Sequence, residues 1–327
     1  MATPILICDD SKLARKQLAR ALPDSWDIDI SFAVNGLDCI ENLGVDVRFL
    51  FLDLNMPEMD GYEVLQWIQD QGIDIDVVVV SGDIQAEAQS RVMDLGALAF
   101  IKKPVNMGEL IGLLRDEGIS FEGQSLRREQ SVEVNVQEYC QEIANIAMGQ
   151  AASLLAQVLG AFVLMPVPKV NNIEGCELHM VLAEVQNKDA VSAVCQGFIG
   201  SGIAGEALMI FHDASYDDMA KLMKYEADSE ADHELELLMD LANLLIGVCI
   251  KGIADQLGTI FSQGHPVVLG RHTDIASLIE RNTSKWSKIL TIEMSYAIEG
   301  YNINCDLLLL FTEDSIQAIE TRMPIMV

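Results

Sequence analysis

Residues 49–61 read Phe49-Leu50-Phe51-Leu52-Asp53-Leu54-Asn55-Met56-Pro57-Glu58-Met59-Asp60-Gly61. Four apolar residues run straight into an acid, and a stretch rich in turn formers follows. A short apolar run bounded by turn signals marks a strand buried on both faces, and in an open α/β sheet reactive groups collect where such strands end. Residues 4–8, 28–33, 77–80 and 99–101 repeat the strand-like run, and the segments between them carry helical spacing. This rhythm predicts a doubly wound, parallel, five-stranded α/β domain over residues 1–118.

The strand ends carry a chemical set. Asp9 and Asp10 follow the first run, Asp53 the third, Ser81 the fourth, and Lys103 the fifth. A lone acid at a strand end is an ordinary turn former or helix cap. Five polar groups at the ends expected to converge are not explained that way. Clustered carboxylates suit a hard divalent ion such as Mg²⁺, which takes oxygen ligands. A remaining carboxylate can attack phosphorus, while the Lys103 ammonium and the Ser81 hydroxyl stabilise phosphoryl oxygens.

Over essentially the whole of this segment the chain resembles the CheY-like receiver domain of bacterial response regulators, a flavodoxin-like fold. The resemblance rests on Asp9-Asp10, residues 53–61, Ser81-Gly82 and Lys103-Pro104. It implies that Asp53 is phosphorylated by a sensor histidine kinase. It also implies that Asp10 and Asp53 bind Mg²⁺ directly, that Asp9 acts through water, and that the Asn55 main-chain carbonyl completes the site. Lys103-Pro104 would be a cis bond, and Phe100 falls at the family's aromatic switch position, where core packing is an equal reading.

Composition bounds the rest. The 327 residues carry 21 Lys plus Arg against 50 Asp plus Glu, a formal charge of −29 that argues against nucleic acid as a partner. Half the residues are hydrophobic, so the acid lies on folded domains. Seven scattered cysteines among apolar neighbours read as reduced, buried thiols of a cytoplasmic protein. No secretory signal or zinc spacing is seen. Residues 143–168 form the longest uncharged run, but Asn145, Gln150, Ser153 and Gln157 interrupt it, which predicts a helix buried in protein and no membrane insertion.

Residues 119–137 are polar and without period, and read as a linker. Residues 138–327 contain a repeat. Glu138, Glu142, Asn145 and Pro168 recur as Glu236, Asp240, Asn243 and Pro266 at a constant offset of 98, and residues 207–215 recur as 307–315 at an offset of 100. The pattern predicts a pseudo-two-fold α/β domain of long helices on a mainly antiparallel sheet, with halves of about 138–228 and 229–327. Glu138, Glu142 and Asn145 fall at i, i+4 and i+7, one helix face, leaving Ile143, Ile146, Ala147, Leu154 and Leu155 for the core.

This second domain resembles the CheC-type chemotaxis phosphatases, the family of CheC, CheX and the phosphatase portion of FliY. The likeness rests on the acid-x₂-Asn pairs and the Pro twenty-three residues past each Asn. It implies that Glu142 salt-bridges the lysine of a phosphorylated CheY-like receiver while Asn145 places a water in line with the acyl phosphate. Asp240 and Asn243 would repeat those roles. Asp240 is one methylene shorter than Glu, so the first pair is expected to be the stronger. The expected function is thus a receiver that controls an aspartyl-phosphate phosphatase. A receiver-gated, non-enzymatic adaptor for a signalling or flagellar partner, or a sink that erases its own phosphate in cis, is the alternative. An exposed helix or receiver face could support a homodimer.

Overall fold

The computed structural model describes residues 2–44, 46–116, 118, 135–174, 191–223, 230–273 and 288–323. The chain divides into two compact units between Glu138 and Tyr139. Residues 119–134, most of the expected linker, lie outside the described residues.

The first unit alternates strand and helix throughout. The order is β1 Thr3–Cys8, α1 Lys12–Ala21, β2 Ile28–Ala33, α2 Gly36–Asn42, β3 Phe49–Leu52, α3 Gly61–Gln71, β4 Asp76–Ser81, α4 Ala86–Asp94, β5 Ala99–Lys102 and α5 Met107–Asp116. The five strands are all parallel, in the order β2-β1-β3-β4-β5. All four residues of β3 are buried, as its unbroken apolar run requires. Helix starts follow side-chain chemistry. Ser11 Oγ accepts from Ala14 N at α1, and Asp60 with Glu63 forms a reciprocal capping box at α3. Gly61 is needed for space, since a Cβ there would lie 2.3 Å from the Asp53 carbonyl oxygen. The start of α3 is therefore pressed against the strand end that carries Asp53.

The second unit opens with a long helix, Val136–Leu159. Asn135 Oδ1 accepts from Glu138 N at 2.8 Å, and Glu138 Oε2 accepts from Asn135 N at 3.4 Å. This capping box starts the helix at Val136, so Val136 and Gln137 belong to its first turn and not to a linker. Glu138 accordingly has a structural task. The strands that follow are β6 Val163–Leu164, β7 Lys169–Glu174, β8 Val191–Gly200 and β9 Ile203–His212. A second long helix, Glu230–Gln256, is followed by β10 Ser262–Gln263, β11 Val267–Thr273, β12 Lys288–Ile298 and β13 Asn304–Thr312. Pro168 stands between β6 and β7 and Pro266 between β10 and β11, so the recurring proline interrupts each short-strand, long-strand pair.

The sheet is antiparallel, ordered β10-β8-β9-β13-β12-β6, with β11 also on β8 and β7 also on β12. The expected repeat is present, but its halves are not separate bodies. β7 of the first half pairs with β12 of the second, β11 of the second half pairs with β8 of the first, and β9 pairs with β13 at the centre. Ile173, Val191, Ala193, Leu208, Ile210, Ile289, Leu308 and Leu310 form one buried cluster. Tyr296 points the other way and meets Cys249 of the second long helix, O to Sγ 3.2 Å. Ala147 of the first long helix lies against Gly252 of the second, where an added Cβ would come within 2.9 Å of the Ala147 Cβ. Close helix approach at that point needs glycine.

Among the described residues, the segment 234–256 is the one helix whose length and apolarity would suffice to cross a membrane, with mean hydropathy 1.8 and 61% of its apolar window buried in protein. It is the sister of the run singled out from sequence, and its burial fits a core helix. Among the described cysteines, Cys8, Cys39, Cys140, Cys249 and Cys305 are buried free thiols and Cys195 is a half-buried one.

Candidate functional site

Asp9 and Asp10 directly follow β1, Asp53 follows β3, Ser81 ends β4 and Lys103 follows β5. The strand order reverses at β1, so β1 and β3 meet at the switch point where a doubly wound sheet opens a crevice. One carboxylate oxygen from each of Asp9, Asp10 and Asp53 lies within 4.8 Å of the others. Lys103 Nζ sits 2.7 Å from Asp9 Oδ2 and 3.3 Å from Asp53 Oδ2. Asp9, Asp53, Ser81 and Lys103 are all buried, Asp53 at 1% exposure.

The backbone around this cluster is held on several sides. Ser11 N donates to Asp9 Oδ1 at 2.8 Å, and Arg15 Nη1 donates to the carbonyls of Asp9 and Asp10. Lys103 N donates to the Ser81 carbonyl at 2.9 Å, and the Lys103-Pro104 bond is cis. Asp53 N donates to the Cys8 carbonyl at 2.9 Å, which ties the two acid-bearing strand ends together. Asp9 and Asp53 are buried and Asp10 half-buried, and gathered carboxylates are costly to bury unless cations share their charge. The donors are all hard oxygens, so the set fits a divalent ion of the Mg²⁺ type. Asn55 lies in the loop two residues past Asp53, and Phe100 on β5 is half-buried against the core cluster that contains Leu52, Val64 and Val79.

Sequence reading did not single out Asp83. It lies in the β4–α4 loop at 2% exposure, and its amide donates to Ser81 Oγ at 3.1 Å. Its carboxylate accepts from Gln85 N at 3.1 Å and Gln85 Nε2 at 3.3 Å. Burial, opposed by the Gln85 hydrogen bonds and Arg91, pushes the Asp83 carboxyl up to about 6. Only its adjacency to Ser81-Gly82 could have drawn attention to it.

The second candidate set lies on the two long helices. Glu142 and Asn145 are buried, at 4% and 5% exposure, whereas Asp240 and Asn243 are exposed. The single polar face expected for the first helix is therefore not its solvent face. Residues 142–149 are buried without a break, and Leu154, expected in the core, is 38% exposed. Asn145 Oδ1 is buried and accepts no hydrogen bond from the described residues. Asp240 precedes Gly252 by twelve residues, about 18 Å along the helix from the contact with Ala147. Tyr139 Oη donates to the Gln256 carbonyl at 3.4 Å, so the two helices run antiparallel, and Glu142, five residues before Ala147, lies on the other side of that contact from Asp240.

Comparison with known proteins adds the following. Residues 5–115 match the family model of the response regulator receiver domain. Response regulator MprA of Mycobacterium ulcerans is 28% identical over 116 residues, 35% of this chain and 50% of that protein. Sensor histidine kinase RcsC of Salmonella typhi is 33% identical over 107 residues, 32% of this chain and 11% of that one. The chain thus spans half or less of the length of these relatives. Among solved structures, FliY of Thermotoga maritima covers 59% of this chain and 98% of its own, with 17% identity and a TM-score of 0.43. The first unit is a response regulator receiver domain.

Proposed function

We propose that the chain is a signalling protein in which a receiver phosphorylated at Asp53 controls a phosphatase unit that hydrolyses the aspartyl phosphate of a CheY-like receiver. In the receiver, an Asp53 carboxylate oxygen forms the bond to phosphorus as the donor's phosphorus–leaving-group bond breaks. Lys103, already 3.3 Å from Asp53 Oδ2, would pair with a phosphoryl oxygen, and the Ser81 hydroxyl would donate to another. Asp9, Asp10, Asp53 and the Asn55 carbonyl would hold Mg²⁺, which supplies charge neutralisation for the phosphoryl oxygens. A sensor kinase is the natural phosphodonor for such a domain.

The observation that carries the phosphatase reading is the acid-x₂-Asn pair, retained in both halves on opposite helices and presented to solvent once, at Asp240 and Asn243. An acid and a carboxamide one helical turn apart can enter a partner's active site together. The carboxamide orients a water, whose oxygen bonds to phosphorus as the phosphorus–aspartate bond breaks, releasing inorganic phosphate and the free carboxylate. The acid pairs with the partner's lysine. An acyl phosphate is reactive already, so a hundredfold acceleration needs only ~2.7 kcal/mol, within reach of orientation and one ion pair.

The two pairs differ in exposure as well as in the length of the acid. Asp240 is shorter than Glu142, but it is the acid that an incoming receiver can reach in this conformation. The test is phosphate release from a separately phosphorylated receiver mixed with the full chain. Release that is unchanged when Asn145 and Asn243 are both replaced by Ala would remove the phosphatase assignment.

A further inference from the structure

Gly247 stands in the interior of the second long helix, four residues past Asn243 and seven past Asp240, so the three share one helix face. Gly149 stands in the same relation to Asn145 and Glu142, and both halves of the repeat therefore read acid-x₂-Asn-x₃-Gly. Glycine inside a helix is destabilising relative to alanine, so its presence there calls for a reason. Gly252 has one, since a Cβ at that position would come within 2.8 Å of Gln150 Oε1 and 2.9 Å of the Ala147 Cβ. Gly247 has none among the described residues. An added Cβ there would meet nothing within 4 Å, and the backbone is ordinary helix.

The face around Gly247 is polar at both ends and bare in the middle. Asp240 and Asn243 are exposed on one side of it, and Lys251 is exposed on the other, with no ion pair among the described residues. About 6 Å of helix separates Gly247 from Asn243 and again from Lys251. The chain's own receiver shows what a partner of that class would bring. Asp53 is recessed at 1% exposure beside Lys103, and Glu58 is exposed in the loop that follows β3. A helix that reaches such a recessed group comes against the rim around it. Asp240 facing the partner's lysine and Lys251 facing a rim carboxylate are then complementary in charge, and a side chain at 247 would stand between them.

We propose that Gly247 is the seat for the rim of a phosphorylated receiver domain, a bare position against which the partner's backbone lies so that Asn243 reaches the acyl phosphate while Lys251 pairs with a carboxylate on that rim. The seat rests on the phosphatase reading of Asp240 and Asn243. It explains why a helix keeps a glycine that costs it stability, because what fills the space comes from outside the chain. It also makes position 247 a determinant of which receivers fit, since the depth to which the helix enters depends on how bare that position is.

A CheY-like receiver loaded with beryllofluoride and Mg²⁺ is titrated into the full-length chain by calorimetry, and phosphate release is measured with the same receiver carrying phosphate. Gly247→Leu should weaken binding of the loaded receiver by about tenfold or more, and Gly247→Ala by about threefold. Both variants should unfold in urea at or above the midpoint of the unaltered chain, an outcome that a glycine required for packing would not allow. Lys251→Glu should raise KM for phosphate release by about fivefold with kcat held, and should make binding less sensitive to salt. Gly247→Leu that binds and turns over the receiver as the unaltered chain does would overturn the seat and leave the phosphatase reading standing, as would a lowered urea midpoint in Gly247→Ala. Binding that Gly247→Leu weakens, with no phosphate released by any form, would remove the phosphatase reading and support the seat. An unaltered chain that neither binds the loaded receiver nor releases phosphate would overturn both.

Discussion

Leu208 on β9 lies directly opposite Leu308 on β13, and the two residues are equivalents in the internal repeat, exactly one offset of 100 apart. A residue paired with its own copy marks a two-fold axis, so the pseudo-dyad of the second unit passes between these side chains. On either side of it the halves exchange strands, since β7 crosses to β12 and β11 crosses to β8. Each half thus leaves unsatisfied strand edges if the other is removed.

A fragment of residues 135–223 should for that reason fail to fold as a monomer. β9 would lack β13, β7 would lack β12, and Leu208 and Ile210 would lose the other half of their cluster. The expected outcome is either no cooperative thermal transition or a self-associated species in which β9 pairs with β9 of a second copy. A cooperative, monomeric fragment, judged by circular dichroism and light scattering, would contradict the interleaved design.

The recurring Ser at the end of residues 207–215 and 307–315 has a structural reason. Ser215 Oγ accepts from Asn304 N at 3.1 Å, and Ser315 Oγ accepts from Ala204 N and donates to the Ala204 carbonyl, both at 2.8 Å. Each serine follows the central strand of its own half and ties down the start of the other half's central strand. Both are buried, at 1% and 0% exposure. Ser315→Ala strands a donor and an acceptor and should cost about 2–4 kcal/mol, while Ser215→Ala strands one donor and should cost about 1–2 kcal/mol. Urea unfolding that ranked Ser215→Ala as the more damaging would reject this account.

Much of this architecture was readable because it rests on local pattern. β3 is four apolar residues ended by Asp53, and burial on both faces leaves no other arrangement for it. The strand ends then bring Asp9, Asp53 and Lys103 together without any side chain having to be guessed. The pairing of β7 with β12 was not readable, because a strand's partner is set by long-range register and not by its own residues. Nor was the burial of Glu142 and Asn145. Helical spacing places them on a common face but does not say whether that face meets water. Asp83 escaped notice because nothing in a local polar loop distinguishes a carboxylate at 2% exposure from one in solvent.

The raised Asp83 pKa makes a pH prediction with a definite sign. Folding lifts this carboxyl from 3.8 to about 6, so the folded state holds the proton more tightly than the unfolded state. The associated stability is complete below about pH 3.8 and is lost as pH rises through 6, by at most on the order of 3 kcal/mol. Asp83→Asn cannot ionise and should remove this component. The difference in unfolding free energy between variant and parent should move in favour of the variant from pH 4.5 to pH 7. A difference that stays constant over that interval would mean that Asp83 ionises in the folded chain as it does in water.

Asp53 should accept a phosphoryl group from a small donor such as acetyl phosphate in the presence of Mg²⁺. The modification should be acid-labile, and Asp53→Asn should abolish it. Lys103→Ala should leave Asp9 and Asp53 without their shared ion pair, and with that pair gone phosphorylation should slow by about tenfold or more. Phosphorylation of Asp53→Asn at full stoichiometry, read by mass spectrometry, would place the acceptor elsewhere.

The two acid-x₂-Asn pairs should contribute unequally, in the order that exposure sets. Asp240 and Asn243 stand in solvent on the second long helix, while Glu142 and Asn145 are covered at 4% and 5% exposure. In the proposed reaction the partner's acyl phosphate is taken to be recessed as Asp53 is here, at 1% exposure, so the helix that serves it would have to enter that site. A buried pair first has to be uncovered, and uncovering charges a free-energy cost against every turnover. Asn243→Ala should therefore lose most of the phosphate release from an added phosphoreceiver, by about tenfold or more, and Asn145→Ala much less. Asp240→Glu, which restores the longer acid on the exposed helix, should raise the rate if reach toward the partner's lysine is limiting. If phosphorylation at Asp53 exposes the first pair, the Asn145→Ala deficit should grow when the full chain is phosphorylated, and the Asn243→Ala deficit should shrink. Dilution distinguishes the substrate. Loss of the chain's own Asp53 phosphate at a rate independent of concentration is a reaction in cis, whereas dephosphorylation of an added receiver slows as both proteins are diluted. Larger loss in Asn145→Ala than in Asn243→Ala, with the full chain unphosphorylated, would show that burial in this structure does not decide which pair works.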